Sequence, residues 1–303
     1  MLSAFDYQGK YVEVAGYRLH YLDEGSGETL LFLHGNPTWC YLYRHLIGEL
    51  RKNYRCIALD FLGFGLSEKP VEADYSLSKQ IDRLAIFIEK LNLSNITLCL
   101  HDIGGIVGLA WAAEHKSLVK GLIIMNTVSC VPEVFGQGRY LPPWSYLALW
   151  PLRLPLLGEI LVQGLNLLQR VVMPLAFKDR SKFNQQVRQG YGYPYGTWAK
   201  RYGQLCTVKQ IPILKSDPAY QLILKTGQRL VGWPVPTQII WGLRDPSSPR
   251  HLIPNTERLF PNHRKSLLLP EAGHFLPEEQ PEAVTKKIKE FLSSIGHEQQ
   301  EHH

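Results

Sequence analysis

The stretch Leu100-His101-Asp102-Ile103-Gly104-Gly105 places a carboxylate between two contrasting runs. Before it, Asn95 to His101 is short, apolar and partly β-branched, which marks a buried strand. After it, Gly104 to His115 is rich in small residues and reads as a helix opening on glycine. Strand, tight turn and helix together make a nucleophile elbow, in which the turn residue is exposed and backbone N–H groups face the reacting centre. The residue two places before such a nucleophile is usually small and is Leu100 here, so the match to the elbow is incomplete. A carboxylate in that seat needs no base to ionise it, and it can displace a leaving group from carbon to give a covalent ester. The same location also suits an aspartate that caps the helix N-terminus, and residue 102 alone does not separate the two.

A nucleophile there calls for an acid and a base later in the chain. Trp241-Gly-Leu-Arg-Asp245-Pro sets an acid just after a strand, and Glu271-Ala-Gly-His274-Phe sets a histidine in a loop after the last strand. Asp102, Asp245 and His274 follow one another in the expected order, each at a strand end, and together they predict a catalytic constellation. Asp245 would fix the tautomer of the imidazole and stabilise its cation. Asn126, at the end of the sixth strand, is an amide and cannot take that role. His34-Gly35-Asn36-Pro37 follows the third strand, and its turn is expected to aim the Asn36 N–H inward beside the Ile103 N–H as an oxyanion hole. Gly63-Phe-Gly-Leu-Ser67 lacks the third glycine and the placed lysine of a phosphate loop, so it reads as a structural turn.

These residues need a scaffold that brings strand ends together. Tyr11–Val14 and Tyr17–Asp23 predict an opening hairpin turning at Ala15-Gly16. Further strands are expected at Thr29–His34, Tyr54–Asp60, Asn95–His101, Lys120–Asn126, Thr237–Gly242 and Lys265–Pro270. Helical periodicity falls between most of them, clearest over Ser78–Leu91 and Glu279–Ser294. Strands alternating with helices imply a mostly parallel sheet covered on both faces. The alternation stops between Cys130 and Val235, where proline, tyrosine and tryptophan are frequent and no strand is evident. The expected organisation is therefore a core over 1–130 and 231–303 with a helical cap over 131–230, lying across the carboxyl ends of the strands where such sheets bind ligands.

With 303 residues, 45% of them hydrophobic, the chain can bury a large core. The five cysteines are scattered without a CxxC pair, which suits reduced thiols in a cytoplasmic protein. Met1–Gln8 lack a basic region followed by an apolar stretch, so no signal peptide is expected, and Ser145–Phe177, the most apolar stretch, is too broken by proline and charge to be expected to span a membrane. The net charge of +6 is uneven: Val131–Leu230 holds 13 Lys and Arg against 4 Asp and Glu, a net +9, leaving −3 for the remainder. Such a segment can attract anionic substrates, a membrane surface or an acidic partner. From sequence it reads as a solvated face, with no nucleic-acid or membrane partner expected. The histidines of the terminal Gly296–His303 read as a tail, and no cluster has metal-ligand spacing.

As a set, His34-Gly-Asn-Pro-Thr-Trp39, Asp60-Phe-Leu-Gly-Phe-Gly-Leu-Ser67, His101-Asp102 and Gly273-His274 resemble the α/β-hydrolase superfamily, in its branch of haloalkane dehalogenases and epoxide hydrolases. Arg188-Gln-Gly-Tyr-Gly-Tyr-Pro-Tyr-Gly-Thr-Trp198 with Ile211-Pro212 is similar to the cap of the Asp-His-Asp dehalogenases and to bacterial β-lactone decarboxylases of olefin biosynthesis. The resemblance implies that Asp102 attacks carbon to form an alkyl ester and that His274 activates the water that cleaves it, without any cofactor. It also implies a small hydrophobic substrate and leaves room for a partner enzyme of the same pathway. In dehalogenases, Asn36 and a tryptophan after the nucleophile would hold the departing halide; this chain has Ile103 there, which donates nothing. Trp144 or Trp198 from the cap is a candidate replacement. Epoxide hydrolases need cap tyrosines as acids, for which Tyr140, Tyr146, Tyr191, Tyr193, Tyr195 and Tyr202 are candidates, whereas a β-lactone needs no halide site at all. Haloalkane cleavage is the first expectation, with β-lactone decarboxylation and epoxide hydrolysis as alternatives. A non-catalytic ligand-binding protein on the same fold is the alternative of a different class.

Overall fold

The computed structural model describes residues 5–135 and 143–300. Eight strands, β1 (Lys10–Val14), β2 (Tyr17–Glu24), β3 (Thr29–Leu33), β4 (Arg55–Leu59), β5 (Ile96–His101), β6 (Val119–Met125), β7 (Thr237–Gly242) and β8 (Leu267–Leu269), form one sheet in the order β1-β2-β4-β3-β5-β6-β7-β8. β1 and β2 make the expected hairpin, and β2 runs antiparallel to β4. Their turn residues Ala15 and Gly16 have φ of 50° and 81°, the positive values that match a two-residue turn to strand twist. From β4 onward every pairing is parallel. β5 and β7 are buried along their whole length, as strands covered on both faces must be, which explains their unbroken apolar runs.

The helices are α1 (Arg44–Leu50), α2 (Leu77–Lys90), α3 (Ile103–Glu114), α4 (Pro143–Arg153), α5 (Met173–Ala176), α6 (Gln185–Gly192), α7 (Tyr202–Gln210), α8 (Pro218–Leu230), α9 (Ile253–Leu259), α10 (Leu276–Glu279) and α11 (Pro281–Gln300). Ser76 caps α2 by accepting the Lys79 N–H, and the helix turns Leu84, Phe87 and Ile88 inward. α11 does the same with Val284, Ile288 and Leu292.

Between β6 and β7 the described chain holds helices and turns but no strand, with wide π-type turns at Glu159–Gly164 and Leu168–Val172. Leu152, Val162, Leu168, Leu205 and Val208 give this insertion an apolar cluster of its own. α8 instead packs against α3 beside the sheet, so residues 218–230 join the flanking layer although the sequence reading counts them with the cap. Among the described residues, no helix is long and apolar enough to cross a membrane.

Candidate active site

The fully buried β5 ends at His101, and the chain turns sharply at Asp102, with φ 51° and ψ −129°, before α3 begins at Ile103. Asp102 is the N-cap residue by position, yet its side chain makes no cap hydrogen bond to the helix. The turn is held by its backbone instead: the Asp102 carbonyl accepts the Thr127 hydroxyl at 2.5 Å and the Gly105 N–H at 2.9 Å. Leu100, too large for the usual elbow, is accommodated by Gly108 one turn into α3, where any Cβ would run into the Leu100 side chain.

Freed from capping, the carboxylate faces two partners. Its Oδ1 accepts the Asn36 N–H at 2.9 Å, and its Oδ2 lies 3.6 Å from Nε2 of His274. The Nδ1 side of His274 meets Asp245 Oδ2 at 2.8 Å. Asp102, Asp245 and His274 thus converge as their chain order suggests. Of the two expected N–H donors, that of Asn36 bonds Asp102 directly, while Ile103 lines the cavity wall. The Asn36 side-chain amide donates to the Gln204 carbonyl at 3.1 Å, tying the loop after β3 to the insertion.

Three further residues set this geometry. Asn126 donates to Asp245 Oδ2 at 2.6 Å while its own Oδ1 accepts the Gly242 N–H at 2.8 Å. The amide that cannot be the acid therefore holds the acid. His101 contacts the His274 carbonyl through Nε2 at 2.8 Å, its ring centroid 4.6 Å from that of His274. Glu279 accepts the N–H groups of Gly273, Lys178 and Asp179, fastening the His274 loop to the chain after α5. Nothing in the local sequence distinguishes Glu279 from an ordinary helix acid.

Burial by itself would lower the pKa of His274, but the charge and hydrogen bond of Asp245, joined by the charge of Asp102, raise it to about 9. Burial works against ionisation of Asp245, and the His274 cation, with donors from Asn126 and Ser247, outweighs it and lowers its pKa. Burial and the neighbouring His274 push His101 down to about 3, so it stays neutral.

A cavity of about 510 Å³ opens over Asp102 and His274, with apolar walls that include Ile106, Val128, Leu149, Leu152, Leu168 and Ile211. None of the described tryptophan side chains lines it. Trp198 is half exposed over Gly164, and the Trp144 side chain lies outside the described residues. The described tyrosine side chains also miss the cavity. Tyr191 bonds Glu278, Tyr195 bonds Thr38 and Gly65, Tyr193 is exposed and Tyr202 lies beside Tyr75. Tyr140 and the Tyr146 side chain lie outside the described residues. Among the described residues, one His, Cys and Asp trio converges, His20, Cys40 and Asp60, and it is buried away from the cavity with Asp60 already bonded to both neighbours.

The family model for the alpha/beta hydrolase fold matches residues 28–281. The chain is 35% identical over 283 residues to a cis-3-alkyl-4-alkyloxetan-2-one decarboxylase of Shewanella oneidensis, covering 92% of this chain and 86% of that one. It is 30% identical over 292 residues to haloalkane dehalogenase 2 of Mycobacterium tuberculosis, covering 94% and 95%. The crystal structure of haloalkane dehalogenase DatA from Agrobacterium tumefaciens superposes with a TM-score of 0.86 at 27% identity, covering 97% and 99%. The chain therefore belongs to the α/β-hydrolase fold family and is a haloalkane dehalogenase-like enzyme within it.

Proposed function

We propose that Asp102 is the nucleophile, His274 its proton partner and Asp245 the acid that orients His274, and that the substrate is a β-lactone, a cis-3,4-dialkyl-oxetan-2-one. One observation carries the choice: the nucleophile's neighbour is Ile103, and no described tryptophan lines the cavity to replace the missing halide donor. Loss of one preorganised donor at a departing anion costs on the order of 3 kcal/mol, or about 10²-fold in rate. A β-lactone releases no halide, so the loss of a halide donor does not bear on it. The 35% identity to an oxetanone decarboxylase supports the same choice.

In this reading Oδ2 attacks the saturated ring carbon bonded to the ring oxygen. A C–O bond forms to Asp102 as the ring C–O bond breaks, leaving a free carboxylate on the adjacent carbon. Loss of carbon dioxide then sends its bonding pair into a C=C bond, and the C–Oδ2 bond breaks to restore the Asp102 carboxylate. Lactone becomes alkene and carbon dioxide with no water consumed. The His274 cation, 3.6 Å from Oδ2, stabilises the oxygen as it departs. The insertion over residues 143–217 acts as the cap that keeps water from the ester. The five cysteines, all unpaired and four of them buried, fit a reducing, cytoplasmic setting.

Halide displacement is the second reading, favoured by the likeness to the dehalogenase structure and by Asn36 at the cavity wall. There the ester would be cleaved by water that His274 deprotonates. With no described tyrosine at the cavity, epoxide hydrolysis has less to support it.

The test supplies wild-type enzyme with the lactone and, separately, a bromoalkane, measuring alkene, carbon dioxide and bromide. In parallel, the intact mass of His274→Gln is recorded after each substrate, with Asp102→Asn as control. Alkene with carbon dioxide, and a lactone-sized adduct on His274→Gln that Asp102→Asn lacks, are expected. Faster bromide release with no alkene would make the enzyme a dehalogenase, and no adduct from either substrate would remove Asp102 as nucleophile.

A further inference from the structure

Ala148, Val171, Val172 and Leu175 line the cavity and are also exposed, so they form its mouth. The helix beside that mouth is apolar on two faces. Ala148 and Leu152 of α4 turn to the cavity, whereas Leu147 and Trp150, at i and i+3, are 80% and 51% exposed, and Leu154, just past the helix end, is 42% exposed. Leu156 and Ile160, which follow α4 in the chain, are also 76% and 51% exposed. A helix apolar on all sides is ordinarily buried, and a contiguous exposed apolar surface marks an interaction site.

The surrounding charge specifies what covers it. Residues 143–217 hold ten Lys and Arg against three Asp and Glu. Those three acids are engaged: Glu159 with Lys209, Asp217 with Arg153, and Asp179 with the N–H and hydroxyl of Ser181. Arg170 is exposed directly before Val171, and exposed Lys178, Arg180 and Lys182 follow Leu175 in the chain. A second copy of this face would set like charges against each other, which opposes self-association.

We propose that this face docks on an anionic lipid surface, with the outer side of α4 entering the headgroup–acyl boundary, the cations meeting lipid phosphates and the cavity mouth opening toward the acyl chains. This replaces the solvated face expected from sequence, because the sequence does not show that the apolar side chains beside the cations point outward. The benefit of taking a lipid-soluble substrate straight from the bilayer rests on the proposed function. Docking itself does not, and it is measured without turnover.

The full chain is sedimented with vesicles of equal parts phosphatidylcholine and phosphatidylglycerol, and with phosphatidylcholine vesicles alone. It should pellet with the anionic vesicles and be released by salt. Arg170→Ala should bind about fivefold more weakly, as one juxtamembrane cation contributes. Leu147→Gln combined with Trp150→Gln should weaken binding about tenfold or more while leaving turnover of a short, water-soluble substrate and the melting temperature unchanged. Equal binding by the double variant, no pelleting with anionic vesicles at low salt, or concentration-dependent dimerisation through this face in place of vesicle binding would each overturn the proposal.

Discussion

Oδ2 of Asp102 lies 3.6 Å from Nε2 of His274, and the charge of Asp102 is one of the causes that raise the pKa of that imidazole. Any chemistry that neutralises Asp102 therefore weakens the hold of His274 on its proton. An ester formed with loss of halide removes the charge and frees His274 to act as base. An ester formed from a lactone leaves a carboxylate nearby and keeps His274 cationic. Asp102→Asn imitates the neutral ester, and the His274 imidazole, followed by NMR, should titrate below the value of about 9 expected for wild type. The raised pKa also fixes the sign for stability. The contribution of the His274 cation with its carboxylates, Asp245 first and Asp102 after it, is complete below about 6.5, the ordinary histidine value, and is lost as pH rises through about 9. A His274 titration unmoved by Asp102→Asn would show that the carboxylate does not govern it.

Asn126 touches Asp245 and does not line the cavity. Asn126→Ala removes the 2.6 Å donor to Asp245 Oδ2 and the acceptor for the Gly242 N–H. A hydrogen bond to a charged group contributes about 1.5–3 kcal/mol, so kcat should fall about 10- to 100-fold if Asp245 loses its orientation. Such an orientation role predicts loss in kcat with KM little changed and a shifted pH profile. Equal loss of stability with an unchanged pH profile would mean that Asn126 only braces the strand ends.

Asp102, Asp245 and His274 were legible in the sequence because each follows a strand whose apolar run is unmistakable, and chain order did the rest. The hairpin was legible from Ala15-Gly16, and α2 and α11 from their apolar periodicity. What escaped was contact across distant segments. Asn126 and Asp245 are far apart in the chain and meet only through parallel β6 and β7, and Glu279 reaches the chain after α5 from a different helix. Residues 131–230 read as one insertion because an amphipathic helix has the same periodicity whether it packs on a cap or, as α8 does, on α3. The tyrosines and Trp198 looked available for catalysis because composition does not reveal direction; the fold turns Tyr191 and Tyr195 into buried hydrogen bonds away from the cavity.

Ile103 is the position at which the two substrate readings part. Ile103→Trp would place an indole N–H beside Asp102 at the cavity wall. One added donor at the leaving halide is worth on the order of 3 kcal/mol, so bromide release should rise about 10- to 100-fold, with lactone turnover unchanged or lowered by crowding. The ratio of bromide to alkene from parallel assays reads this directly. No gain in bromide release would show that the missing indole is not what limits dehalogenation.

Gly108 and Leu100 form the remaining coupled pair, since a Cβ on the helix glycine would collide with the leucine that precedes the elbow. Overpacking a core of this kind costs about 1–3 kcal/mol, which is the destabilisation expected of Gly108→Ala. Leu100→Ala alone should cost about 2–5 kcal/mol through the cavity it leaves. The two together should be less destabilising than their sum, because the new methyl group occupies space the leucine vacated. Denaturant melts of the four proteins measure that coupling, and additivity would show that the elbow absorbs the added methyl without involving Leu100. If the coupling is found, the double variant carries the small residue usual before a nucleophile, and its activity tests whether Leu100 and Gly108 serve only to pack the turn that presents Asp102.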